Sequence, residues 1–249
     1  MRAIQSTSLN KSTDSIFERM ISKQVFFRTI SVYAFTYLVL LIAILYMMYA
    51  YPKPELHMLL NSNHSSIQDT FFKYYSTLAE WPLYILALLP LLWKKRNFTI
   101  FFALCELTGG AFLQILKHTI STDRPISVFE HYDHLVLPLV QGVDMHHSNS
   151  FPSGHASTFF MFCTCVAIYL AYHYSRKNKP RNLRTQLMVS AVLLLLVVLA
   201  ALGAYSRVYL SQHFLSDVCV GSIIGFITPF LMLYLFRDRI LKPKKEEIK

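Results

Sequence analysis

The chain has few charged side chains for its length. Only 15% of its 249 residues are Asp, Glu, Lys or Arg, whereas 54% are apolar. A water-soluble domain usually carries roughly a quarter charged residues, and a disordered chain carries far fewer apolar ones. The composition therefore excludes disorder and predicts an integral membrane protein, and its length suits a single domain.

Acidic residues are scarcer than basic ones. The chain has 14 Asp and Glu against 24 Lys and Arg, which gives a formal net charge of +10. Nucleic-acid-binding proteins share such an excess, but they gather it in one basic patch. Here the basic residues are divided among several segments that flank apolar runs, so we predict no nucleic-acid partner.

Cysteines are few, and none lies in a polar loop. Cys105, Cys163, Cys165 and Cys219 all fall inside apolar stretches. A disulfide framework or a structural zinc site needs a different spacing and setting. We expect the four thiols to be free and buried as small apolar groups.

Apolar runs, in contrast, are abundant. Six segments are candidate membrane spans: residues 30–50, 77–93, 98–116, 155–174, 187–205 and 213–236. The first has 21 uncharged residues, enough to cross a hydrocarbon core of ~30 Å at ~1.5 Å per residue. The second is the weakest, because Glu80, Pro82 and Pro90 interrupt it. The pattern predicts an all-α, six-helix transmembrane bundle.

The distribution of lysine and arginine predicts the orientation of this bundle. Most of these residues precede the first span or follow the second, fourth and sixth. By the positive-inside rule, both termini are then cytoplasmic. We expect residues 1–29 to be a cytoplasmic tail with a candidate interfacial helix, residues 30–236 the membrane domain, and residues 237–249 a basic cytoplasmic tail.

Three polar clusters fall on the opposite, outer side of the predicted bundle. The first runs from Lys117 to Arg124 and Pro125, at the end of the third span. The second is Pro152-Ser153-Gly154-His155, which opens the fourth span. The third joins Ser206 and Arg207 to His213 and Asp217, between the fifth and sixth spans. The topology brings all three to one membrane face, which indicates a single site.

The spacing within the clusters has a chemical interpretation. His213 and Asp217 are four residues apart, so we expect them on one helix face, where the carboxylate orients the imidazole. Ser153 is a candidate N-cap, which leaves the first amides of the following helix free to bind an anion such as phosphate. Lys117, Arg124 and Arg207 provide donors suited to phosphate oxygens.

Two further patterns concern helix packing. Glu106, Gly110, Gln114 and Lys117 recur at helical spacing, and we expect that stripe to face the bundle interior. Gly221 and Gly225 form a small-xxx-small pair that would allow another helix to approach closely.

The three clusters, written KxxxxxxRP, PSGH and SRxxxxxHxxxD, resemble the signature of the type 2 phosphatidic acid phosphatase family. Every motif position matches, and the resemblance covers about residues 30–236. It implies that His213 is a nucleophile that forms a phosphohistidine, that Asp217 orients it, and that His155 protonates the leaving oxygen and later activates water. It also implies phosphoryl binding by a set of five residues: Lys117, Arg124, Ser153, Gly154 and Arg207.

The resemblance implies no metal ion and no other cofactor. His131, His134, His146 and His147 lie in the loop between the first two motifs, where we prefer a solvated loop to a metal site. A non-catalytic protein that binds or transports lipid phosphates is an alternative, although it would have no use for His155 and His213.

The expected substrate is a phosphomonoester or diphosphate of a membrane lipid. The small six-span frame favours a bacterial inner-membrane protein with its active site facing the periplasm. Residues 126–151 form a loop long enough to contact a bulky headgroup, which favours lipid A. Undecaprenyl diphosphate, phosphatidylglycerol phosphate and phosphatidic acid are the alternatives, and the sequence leaves the oligomeric state open.

Overall fold

The computed structural model describes residues 2–80, 96–176 and 182–240, with side chains from residue 22 to residue 236 of these ranges. Within them every regular element is an α-helix, as predicted. The helices are α1 (Arg2–Ala50), α2 (Lys53–Leu60), α3 (Ser66–Thr77), α4 (Arg96–Thr119), α5 (Pro125–Phe129), α6 (Gly154–Ser175), α7 (Leu183–Tyr209) and α8 (Leu215–Ile240).

Five of the described helices are long and apolar enough to cross a membrane. They contain the segments Ser22–Ala50, Arg96–Thr119, Gly154–Ser175, Leu183–Tyr209 and Leu215–Phe236. These correspond to the first, third, fourth, fifth and sixth predicted spans. Helix α3 ends at Thr77, residues 78–80 form a turn and bend, and the remainder of the predicted second span lies outside the described residues.

The N-terminal segment is not separated from the first span by a break in the helix. Helix α1 is continuous from Arg2 to Ala50, through the predicted boundary between residues 29 and 30. Neither proline nor glycine occurs in residues 1–50, so nothing in the local sequence interrupts the hydrogen-bond ladder.

Helix α6 is at the centre of the bundle, and most of its length is buried. Small residues on α8 allow the two helices to touch: an added Cβ at Gly221 would meet the Ser153 carbonyl oxygen, and one at Gly225 would meet that of Ser157. The predicted role of this glycine pair is confirmed. The contact fixes the start of α8 against the start of α6, where polar residues of both helices lie.

The inward face of α4 differs from the predicted stripe. Cys105, Gly109 and Leu113 are buried, whereas Gln114 is exposed and a Cβ at Gly110 would meet nothing within 4 Å. The expected stripe is therefore only partly correct: Glu106 and Lys117 are half-buried, whereas Gln114 faces outward. The aromatic residues Phe98, Phe101 and Phe102 fill the core beneath it and set the rotation of the helix.

Hydrogen bonds close one end of the bundle, where α4 and α7 end and where α6 and α8 begin. The Asp69 carboxylate accepts from the Tyr209 hydroxyl at 2.6 Å and lies 2.8 Å from the His64 ring. Asn61 donates to the Ser211 hydroxyl at 2.6 Å. These bonds hold Ser211, which has a positive φ of 53°, in the tight turn between α7 and α8.

Candidate active site

The three polar clusters lie at this closed end of the bundle. Lys117 is in the last turn of α4, His155 in the first turn of α6, and Arg207 in the last turn of α7. Arg124 directly precedes α5. The backbone amide of Ser153 donates to the Asp217 carbonyl at 3.0 Å, so the second and third clusters are in direct contact.

His213 and Asp217 do not share a helix face, which corrects the expectation from their spacing. His213 lies in the turn before α8, and Asp217 lies in the first turn of that helix. The Asp217 carboxylate folds back to accept from the Phe214 amide at 3.1 Å, as an acidic residue of a helix N-terminus often does. The same oxygen, Oδ2, lies 3.7 Å from Nδ1 of His213.

Ser150 lies between these two side chains. Its hydroxyl donates to Oδ2 of Asp217 at 2.6 Å and lies 3.4 Å from Nδ1 of His213. Ser150, His213 and Asp217 are at most 2% exposed. Sequence reasoning missed this serine because it stands outside the three quoted motifs, and its position two residues before Pro152 was the only available signal.

Gln212 is a second residue that sequence reasoning missed. Its side-chain oxygen accepts from Nη1 of Arg124 at 3.1 Å and from Nη2 of Arg207 at 3.5 Å. Its amide nitrogen donates to the Asp144 carbonyl at 2.9 Å. Gln212, the residue directly before His213, thus holds both guanidinium groups. It also holds the long loop through Asp144.

The two arginines are held differently. Arg124 donates through Nε to the Ser148 carbonyl at 3.0 Å and through Nη1 to the Gln212 carbonyl at 3.1 Å. Arg207 donates through Nη1 to the Ser76 hydroxyl at 2.6 Å, while its buried Nε has no hydrogen-bond partner among the described residues. Of the two guanidinium groups, that of Arg207 therefore retains a buried donor that can bind a further acceptor.

The start of α6 has the predicted cap. The Ser153 hydroxyl accepts from the Ala156 amide at 3.4 Å, and Ser153 itself is fully buried. The amides of Gly154 and His155 belong to the first turn, where no intrahelical acceptor is available to them. Such amides, together with the positive end of the helix dipole, favour an anion.

Positive charge surrounds the two imidazoles. His155 lies within electrostatic reach of Arg207, His213, Lys117 and Arg124. Lys117 is held loosely, with Nζ 3.5 Å from the Asn149 carbonyl oxygen. Burial lowers the pKa of Arg124, and the Asp217 carboxylate opposes this shift. The excess of cations over carboxylates gives the site a preference for an anionic ligand.

His213 is neutral near pH 7. Burial lowers its pKa to about 4, the Asp217 carboxylate opposes this change, and the charges of Arg207 and Arg124 reinforce it. A neutral imidazole has a free lone pair on one ring nitrogen, which a nucleophile requires.

Titratable side chains elsewhere at this end do not assemble into a metal site. Within residues 2–80, 96–176 and 182–240, no group of three or more His, Cys, Asp or Glu side chains could hold a metal ion. In the loop, the Ser127 hydroxyl lies 3.1 Å from His147 Nδ1, and the His131 ring lies 3.1 Å from the Ser127 carbonyl oxygen. All four cysteines are free and buried, as expected.

Comparison with known proteins finds relatives by sequence as well as relatives by structure. Phosphatidylglycerophosphatase B of Bacillus subtilis is 33% identical over 85 residues, which is 34% of this chain and 38% of that protein. A Drosophila melanogaster protein named for phosphatidate phosphatase activity is 35% identical over 95 residues, 38% of this chain and 23% of its own length. The chain thus spans well under half the length of these curated relatives.

Two crystal structures share the fold. LpxE of Aquifex aeolicus superposes with a TM-score of 0.54 at 23% identity, covering 72% of this chain and 93% of that one. The PAP2-type phosphatidylglycerolphosphate phosphatase of Bacillus subtilis superposes with a TM-score of 0.53 at 20% identity, covering 86% and 98%. The family model of the PAP2 superfamily matches residues 98–241, more than half of the chain and all three clusters. The chain therefore belongs to the PAP2 superfamily.

Proposed function

We propose that this protein hydrolyses a phosphomonoester or diphosphate of a membrane lipid through a phosphohistidine on His213. The observation that carries the proposal is the buried His213–Asp217 pair beside a guanidinium with an unpartnered donor. Arg207 Nε is buried and has no acceptor among the described residues. A phosphoryl oxygen would supply that acceptor and would offset the local positive charge.

In the first step, Nε2 of His213 attacks phosphorus and the bond to the lipid oxygen breaks. His155, which takes up a proton when the anionic substrate offsets the surrounding cations, donates that proton to the leaving oxygen and becomes neutral. In the second step, His155 takes a proton from a water molecule that attacks phosphorus, the N–P bond breaks, and phosphate leaves. Lys117, Arg124, Arg207 and the amides after Ser153 stabilise charge on the phosphoryl oxygens, an effect worth several kcal/mol in enzymes of many kinds. No step requires a metal ion.

A non-catalytic lipid-phosphate binder is the rival function. Such a protein would use the cations and the helix N-terminus but would not need a neutral, buried imidazole beside a buried carboxylate. The geometry around His213 thus favours catalysis over binding alone.

Lipid A is the first substrate to test, since loop 126–151 borders the cation cluster. Ser148 and Asp144 of this loop contact Arg124 and Gln212 through their carbonyl oxygens. Phosphatidylglycerol phosphate is the second candidate, and the 33% identity to phosphatidylglycerophosphatase B supports it. Undecaprenyl diphosphate and phosphatidic acid complete the set. We propose that the protein lies in a bacterial inner membrane with the site facing the periplasm.

The test is phosphate release by the purified protein from each of these lipids in detergent micelles. We expect turnover of at least one lipid, and loss of at least 1,000-fold in kcat for His213→Ala, in line with removal of a covalent nucleophile. Chelators should leave the rate unchanged. Release by His213→Ala at the wild-type rate would contradict the phosphohistidine, and release that required an added divalent ion would contradict the metal-free mechanism.

A further inference from the structure

The distance between His213 and Asp217 leaves their connection incomplete. Nδ1 of the imidazole and Oδ2 of the carboxylate are 3.7 Å apart, which is longer than a hydrogen bond. The Ser150 hydroxyl occupies the space between them, 2.6 Å from the carboxylate and 3.4 Å from the ring. The short contact of the three is thus between Ser150 and Asp217.

The direction of these bonds follows from the number of protons. An ionised carboxylate only accepts, so the single hydroxyl proton of Ser150 points to Asp217. The oxygen then presents a lone pair to Nδ1, and a favourable contact requires that Nδ1 carry the proton. In a neutral ring, Nε2 is then unprotonated and can attack phosphorus. We infer that Ser150 is a positioning residue that transmits the orienting effect of Asp217 to His213 and selects its nucleophilic tautomer.

The backbone holds Ser150 in place from the side of the first cluster. Its amide donates to the Thr122 carbonyl at 3.0 Å, and the amide of Phe151 donates to the Thr122 hydroxyl at 3.1 Å. Asn149, just before it, has a positive φ of 56°. Thr122 lies two residues before Arg124, so the backbone of Ser150 is anchored to the phosphate-binding segment while its hydroxyl contacts the catalytic pair.

The long Ser150–His213 contact fits a bond that shortens during the reaction. When phosphorus binds to Nε2, the ring becomes cationic and Nδ1–H becomes a stronger donor. Catalytic hydrogen bonds are often long before substrate binds. Ser150 then stabilises the phosphohistidine more than the free enzyme, so its removal should lower kcat and leave KM nearly unchanged.

The experiment rests on the proposed phosphatase activity and uses the full-length protein in detergent micelles. Ser150→Ala should lower kcat by about 10- to 150-fold, the range for losing a hydrogen bond to a charged group, with KM within about twofold of wild type. Ser222→Ala is the matched control, because it also removes a buried serine hydroxyl, one on α8 that contacts Tyr37 rather than the site. It should keep the wild-type kcat.

A double-mutant cycle tests whether Ser150 acts through Asp217. In an Asp217→Asn background, Ser150→Ala should cost less than about threefold, since the acceptor of the Ser150 proton has lost its charge. Equal losses in both backgrounds, or a loss under threefold in the wild-type background, would overturn the role. If His213→Ala keeps full activity, the failure lies in the phosphohistidine mechanism instead of in Ser150.

A spectroscopic measurement covers the case in which kinetics are ambiguous. In protein labelled with ¹⁵N-histidine, the His213 signals are assigned by their loss in His213→Gln. We expect Nδ1 to be protonated in the wild type and a mixture of tautomers in Ser150→Ala. An Nε2-protonated ring in the wild-type protein would contradict the inference.

Discussion

His57 is a buried imidazole that the proposed reaction does not use. It is 1% exposed and packs between the rings of Phe129 and Phe214, and neither ring nitrogen has a hydrogen-bond partner among the described residues. Burial lowers its pKa to about 4, the Lys53 charge acts in the same direction, and Asp217 opposes it. An unpartnered polar group of this kind costs about 1–3 kcal/mol of stability.

Replacing His57 with leucine should therefore raise the melting temperature of the protein in micelles at pH 7.5. The gain should grow at pH 5, because the pKa of His57 is lower in the folded protein than its unfolded value of about 6.5. Protonation of the unfolded chain at pH 5 then lowers the free energy of unfolding of the wild type by a further 1–2 kcal/mol, roughly. Leucine does not titrate, and a partly open pocket of about 170 Å³, lined in part by His57, leaves room for it. Differential scanning fluorimetry at both pH values measures the effect.

The control is His64→Leu, at the same end of the bundle. The His64 ring has partners on both nitrogens, Asp69 and Asn61, each at 2.8 Å. Its loss should lower the melting temperature, the opposite sign to His57→Leu. A lower melting temperature for both variants would show that His57 contributes stability through contacts of its ring.

Replacing either arginine of the site with lysine keeps the charge but removes hydrogen-bond donors. Arg207→Lys removes the buried, unpartnered Nε donor and the bonds to Ser76 and Gln212, so we expect a lower melting temperature and a loss of about 10- to 150-fold in kcat/KM, equivalent to roughly 1.5–3 kcal/mol. Arg124→Lys removes the bonds to Ser148 and Gln212, so it should lower the melting temperature as well as kcat/KM. Steady-state kinetics and fluorimetry on both variants separate these effects. Wild-type kcat/KM for Arg207→Lys would show that charge alone suffices.

The site residues that could be identified from the sequence differ in kind from those that were missed. His155, Lys117 and Arg207 were singled out because charged and titratable groups are rare in apolar segments. Ser150 and Gln212 are small or neutral, and their importance depends on bonds across the fold. Nothing in local spacing shows that the hydroxyl of Ser150 reaches an aspartate 67 residues later.

Among the elements, the contact between α6 and α8 determines the shape of the site. Gly221 faces the Ser153 carbonyl, and the amide of Ser153 donates to the Asp217 carbonyl at 3.0 Å. The Asp217 carboxylate and the turn that we propose binds phosphate are thus positioned by one close approach of two helix N-termini. A small shift of α8 would move both.

Gly221→Ala should disturb this approach. Its Cβ would meet backbone at Ser153, which cannot move as a flexible side chain can, and overpacking of this type costs about 1–3 kcal/mol. We expect a lower melting temperature and a lower kcat. Gly110→Ala is the matched control on α4, where an added Cβ meets nothing within 4 Å and alanine favours the helix. Equal effects of both substitutions, measured by fluorimetry and phosphate release, would contradict the close-contact account.

The positions of the helices along the chain could be predicted from the sequence better than the face that each helix turns to the core. Apolar length predicted five of the described helices, because burial in a membrane requires long uncharged runs. The inward face of α4 was predicted from polar residues and was wrong at Gly110 and Gln114, since Phe98, Phe101 and Phe102 determine the packing in a bundle whose outer surface is also apolar. The turn before α8 was missed because a four-residue spacing fits both a helix face and a helix N-terminus.

For the whole molecule, the orientation in the membrane remains a prediction from the distribution of lysine and arginine. It places the closed end, with the candidate site, outside and the α6–α7 connection inside. Exposed positions exist at both ends: Val136 is 84% exposed in the long loop, and Arg184 is exposed at the start of α7. The four native cysteines are at most 5% exposed, so labelling of an introduced cysteine can be measured with little labelling of the native thiols.

Single-cysteine additions at these two positions test the orientation. In spheroplasts of a bacterial host, a membrane-impermeant maleimide should label Val136→Cys at once, and Arg184→Cys only after the membrane is permeabilised. The physical reason is the cost of moving the basic segments across the bilayer, which keeps them cytoplasmic. The wild-type protein, with only buried thiols, should stay unlabelled in both conditions. Labelling of Arg184→Cys in intact spheroplasts, with Val136→Cys protected, would place the candidate site in the cytoplasm and would exclude periplasmic lipids as substrates.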